Sequence, residues 1–95
     1  MSRSLIERAE GNGRVFSGEK LLGAVSYTVL VFQGYIHVEN LTGSGDIPGM
    51  QEYELDITPS MPVSRQLLTL ELSDQRKLNF YMVSQAGTMP TGGFF

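Results

Sequence analysis

The sequence predicts an all-β fold: a small antiparallel barrel or two-sheet sandwich of five or six strands in a single domain. Three observations carry that expectation. Apolar and polar residues alternate at period two along most of the chain, and the alternating segments are dense in β-branched and aromatic side chains. Beyond the first dozen residues, no window keeps the helical i, i+3, i+4, i+7 spacing over ten positions.

The elements follow in order. Ser4-x-x-Glu7 has the form of a capping box, so residues 4–9 fit either a short N-terminal helical turn or an edge strand paired across Asn12-Gly13. Arg14 to Gly18 reads as a short strand after that turn. Residues 21–33 give the strongest signal, with Val25, Tyr27, Val29 and Val31 on one face, and Gly34 closes the run. A second strand over 35–41 sends Ile36 and Val38 to the core and Tyr35, His37 and Glu39 outward. Residues 42–49, rich in Gly and Pro, read as a loop.

Next, Tyr53, Leu55 and Ile57 alternate with Glu52, Glu54, Asp56 and Thr58 until Pro59 and Pro62 end the strand. Leu68, Leu70 and Leu72, then Leu78, Phe80 and Met82, form the inward faces of a hairpin turning at Asp74-Gln75-Arg76. The domain spans residues 1–95, with an N-terminal arm at 1–11 and a flexible Gly/Pro-containing tail at 86–95. A chain of 95 residues buries only about 60–70% of its unfolded surface, enough for one core.

Composition excludes several functions. There is no cysteine, hence no disulfide, no thiolate metal site and no cysteine nucleophile. No stretch approaches the length of a membrane span, and the N-terminus lacks the apolar core of a signal peptide, so a soluble, cytoplasmic protein without membrane contact is expected. Seven basic against ten acidic residues argue against phosphate-neutralising nucleic-acid binding. Between Leu21 and Ser64 there is no Lys or Arg, while Glu39, Asp46, Glu52, Glu54 and Asp56 lie in that stretch. Such asymmetry favours a basic protein partner, or serves as a solvated acidic face.

Candidate sites are few. His37 is the lone histidine and shares a predicted face with Tyr35 and Glu39, but residues two apart on a strand are about 7 Å apart, long for a direct bond. The pattern suits a solvated histidine better than a catalytic base. Glu52, Glu54 and Asp56 read as the wet half of an amphipathic strand. The Gly43-Ser44-Gly45 segment opens no helix, so it is no phosphate loop. Neither a cofactor nor a metal site is expected, and no catalytic residues are assigned.

Tyr35, His37, Glu39 and Tyr81 remain as ligand-binding candidates, and Glu52, Glu54, Asp56, Phe94 and Phe95 as partner-binding ones. The terminal Phe94-Phe95 can dock in its own barrel or in a second copy. The function expected from this set is a non-enzymatic interaction or structural module that self-associates or binds a basic protein. A small-ligand or carbohydrate-binding barrel is the alternative, and a small hydrolase the third.

Overall fold

Period-two alternation persists in three dimensions for longer than the sequence's glycines suggest. The computed structural model describes residues 2–40, 43–63, 65–85 and 87–95, the side chains of Ser2 and Asn40 excepted. Three long strands come first: β1 (Ser2–Ser17), β2 (Lys20–Asn40) and β3 (Gly43–Thr58). Three short ones follow: β4 (Leu68–Glu71), β5 (Lys77–Met82) and β6 (Thr88–Thr91). All pair antiparallel in one sheet of order β3-β2-β1-β4-β5-β6.

The sheet curls until β6 lies beside β3, so the fold is a nearly closed barrel. Side chains bridge the remaining seam. The Thr88 hydroxyl donates to the Leu55 carbonyl, and the Tyr53 and Phe94 rings meet edge to face at 5.2 Å. Inside lie Val15, Val25, Tyr27, Val29, Val31, Leu55, Leu68, Leu70, Leu72, Leu78, Phe80 and Met82, joined by Met61 from the 59–67 connection. The faces expected to point inward from 25–31, 68–72 and 78–82 all do so.

Several expectations are corrected. Residues 4–9 are strand, not a helical turn, because β1 pairs with β2 from Ser2 onward. Asn12-Gly13 is no turn either but lies mid-strand, and the reversal comes at Gly18, whose φ is 60°. Gly13 is needed for space: a Cβ there would collide with the Glu71 carbonyl and press the Tyr27 ring at 3.2 Å. Gly34 does not end a strand. It sits at a bulge in β3, where Gln33 faces Gln51 but Tyr35 faces Pro48. Residues 43–48, expected in a loop, pair with β2 as the start of β3; Leu41 and Thr42 lie outside the described residues.

The barrel is shorter than its first three strands. β4 meets β1 only across Arg14 to Phe16, so the start of β1, the end of β2 and the start of β3 run on past it as an arm. Beyond the Ser2–Tyr35 pair the described residues form a two-stranded hairpin of β2 and β3. The molecule measures 54 × 26 × 21 Å, and its radius of gyration of 16.0 Å exceeds the roughly 12 Å of a compact domain this size.

Candidate functional site

The arm holds Tyr35, His37 and Glu39, and strand register assigns them to faces. Cross-strand partners share a face, and faces alternate along a strand. Tyr35, His37 and Glu39 therefore continue the face of Val29 and Val31, but past the end of the barrel, where no core remains to cover them. Pro48, Asp46 and Ser44 are their partners on β3. Ile36 and Val38 fall on the outer face, beside Ile47 and Gly45. They were expected in the core, and Ile36 is instead 46% exposed. Reading Gly34 as a break reset the alternation and inverted these assignments.

His37 sits in a carboxylate clamp near the hairpin tip. Its Nδ1 lies 3.0 Å from Asp46 Oδ1, and its Nε2 lies 3.5 Å from Glu39 Oε1. Side-chain reach thus closes the 7 Å backbone spacing. All three side chains are more than half exposed, so the imidazole is bathed in water rather than held in a cleft where proton transfer could be directed. Among the described residues no group of three or more His, Asp and Glu side chains is placed to hold a metal ion, and no helix is long and apolar enough to cross a membrane.

The outer face, from the adjoining barrel wall onto the arm, has a different character. On β2 it runs Leu30, Phe32, Gly34, Ile36, Val38, with Leu5 beside Phe32 on β1 and Ile47 beside Ile36 on β3. Leu5 and Ile47 are half exposed. Met50, beside the β3 bulge, is 86% exposed, and Ile6, the extra residue of a β1 bulge, is half exposed. These bulges twist the arm's edges away from further strand pairing.

Charges flank this apolar stripe. Arg3 and Arg8 lie on β1, and Glu52, Glu54 and Asp56 on β3. Arg3 stretches over the Phe32 ring, 4.0 Å from its centroid, to reach Glu52 at 2.8 Å and Glu54 at 3.9 Å. Among the described residues Arg8 pairs with Glu10 beside it, at 3.1 Å, and Asp56 makes no ion pair.

The remaining candidates are placed elsewhere. Phe94 docks in its own barrel, under the Arg76 guanidinium at 4.2 Å and against Tyr53, while the Phe95 backbone exchanges two hydrogen bonds with Lys77. Tyr81 faces outward beside Met89 on β5 and β6, where Val63, Arg65 and Val83 help to line a groove of about 610 Å³. It is thus on the short-strand side of the barrel, away from Tyr35 and His37 on the arm.

Sequence reasoning missed Arg76. It bonds Glu7 at 2.6 Å and Asp74 at 2.8 Å, tying the root of the arm to the β4–β5 turn and the C-terminus. The Glu7 bond raises its pKa further, so it stays charged. The Arg76 backbone amide, with help from the guanidinium, holds the Asp74 carboxyl below its ordinary value. A lone Arg in a turn gives no sequence signal of this role, since its partner Glu7 is distant in the chain.

No family model matches this chain, and neither the curated proteins nor the solved structures contain a match to it.

Proposed function

We propose that this chain is a non-enzymatic structural module that self-associates through its protruding arm. The observation that carries the reading is the amount of surface the elongated fold leaves uncovered, part of it on the arm. The chain exposes 6350 Å², about 900 Å² more than a compact 10.5 kDa monomer is expected to. The excess includes a stripe of large apolar side chains outside any core. Specific interfaces bury about 800 Å² on each partner, so an excess of this size over the whole chain is enough for one.

The alternatives have less support. A basic partner on β3 would compete with Arg3 for Glu52 and Glu54. A ligand pocket built from Tyr35, His37 and Tyr81 would need residues that the sheet separates. A hydrolase would need His37 enclosed rather than solvated.

Sedimentation equilibrium from low micromolar to several hundred micromolar chain tests the proposal. A concentration-dependent mass above that of one chain is expected. A single monomeric species throughout would remove this reading.

A further inference from the structure

From the placement of the uncovered apolar side chains we infer that the chain assembles head to tail, the hairpin tip of one copy seated in a groove at the far end of the next copy's barrel. This inference rests on self-association through the arm and adds the surface that the arm meets. Antiparallel pairing fixes the two ends of the molecule. The β2–β3 and β4–β5 turns point towards the arm, and the β1–β2 turn, the 59–67 connection and the β5–β6 turn gather at the opposite end, the base.

Among the described residues the exposed large apolar side chains divide between these ends, Phe95 apart. Leu5, Ile6, Ile36, Ile47 and Met50 lie on the arm or at its root. Leu21, Leu22, Val63, Leu67, Val83 and Met89 lie on the basal connections or on the strand ends beside them. The two ends are also opposite in shape. One is a projecting hairpin. At the other, Val63 and Arg65 of the 59–67 connection enclose a groove of about 610 Å³ with Tyr81, Val83 and Met89, a size that takes several side chains. A contact of arm with arm leaves the basal group in water, and a contact of base with base leaves the arm bare. Arm on base covers both groups with one kind of contact.

Charge has the same polarity. Residues 34–40 and 43–50 hold Glu39 and Asp46 without Lys or Arg, and His37 between them offsets at most one of the two charges. The basal connections hold Lys20 and Arg65, neither in an ion pair among the described residues. Glu19, the one acid in these connections, lines a separate depression with Lys77 and Phe95. The Arg65 guanidinium in the groove is left to meet an acid from outside, and the hairpin tip brings two. Because the two surfaces differ and lie at opposite ends of a molecule 54 Å long, the contact repeats along the long axis and builds an open chain rather than a closed pair.

Sedimentation and light scattering read the mode of assembly. Wild-type mass is expected to keep rising past two chains with concentration, where a symmetric dimer would level off at two. Ile36→Asp on the arm and Val83→Asp at the base, both at exposed positions, should each give a monomer with an unchanged far-ultraviolet circular dichroism spectrum. Met89→Asp, also exposed, replaces Val83→Asp should that chain not fold. Arg65→Glu should weaken association about tenfold or more. An equimolar mixture of the arm variant with the basal variant then separates the geometries. Its one intact pairing is the arm of the basal variant with the base of the arm variant, so a complex of two chains is expected and nothing larger. A wild-type mass that levels off at two chains, basal variants that associate as wild type does, or a mixture that stays monomeric overturns the head-to-tail contact and leaves self-association through the arm standing. An Ile36→Asp chain that associates like wild type, or a wild-type chain that is monomeric at all concentrations, removes both.

Discussion

Glycine at position 13 shows how a single missing methyl shapes this fold. Position 13 faces inward beside Val25, and the Tyr27 ring fills the space a side chain would take. The Tyr27 hydroxyl, in turn, accepts the Ser73 amide at 3.1 Å and lies 3.0 Å from the Ser73 hydroxyl, fixing the turn after β4. Gly13→Ala must push both the ring and the Glu71 backbone, so it should destabilise by about 1–3 kcal/mol, measured by urea unfolding. At that turn Asp74 gives a pH prediction. Its folded pKa is depressed, so its contribution to stability is present above the ordinary carboxylate value near 3.9 and is lost as pH falls through the lower folded value. Thermal unfolding of Asp74→Asn should therefore lie below wild type at neutral pH and converge with it in strong acid. A constant gap across that range would refute the assignment.

At the scale of elements, the β4–β5 hairpin is the most regular part and the most legible. Its leucines alternate without interruption, and every inward position expected from the pattern is buried. Phe80, fully buried, should cost about 3–5 kcal/mol when cut to Ala, with loss of the cooperative transition as the extreme outcome. The long strands were legible in composition but not in length. Glycine signals both a turn and a lack of side-chain bulk, and the sequence alone does not separate the two: Gly13 makes room for Tyr27, and Gly34 faces a bulge. Alternation likewise names two faces without saying where the core stops, so Ile36 and Val38 were assigned to an interior that ends before them. The carboxylate clamp on His37 needed Asp46 from the neighbouring strand, which a loop reading of 42–49 concealed. Arg76 joins three elements through ion pairs and a ring contact. Because its bridges are partly solvated, Arg76→Ala should lose only about 1 kcal/mol in chemical denaturation.

For the molecule as a whole, the division between barrel and arm is a division of stability. Barrel strands are held by a shared core, with paired strands on both sides of β1, β2, β4 and β5 and side-chain links across the β3–β6 seam. The hairpin beyond Ser2 has one partner per strand and no core beneath it. A lone two-stranded hairpin is marginal in water, so the tip must borrow stability from something it touches. Hydrogen exchange separates the parts. In dilute solution, amides of β4 and β5 should exchange only through global unfolding, and those of residues 36–39 and 44–47 should exchange orders of magnitude faster through local opening. Raising the chain concentration should slow the tip selectively, because association adds free energy to the bound arm by mass action while the barrel's own opening is unchanged until the whole assembly must unfold. The melting temperature should rise with concentration for the same reason. Tip amides as well protected as those of β5 at high dilution would mean that the arm is stable alone and needs no partner.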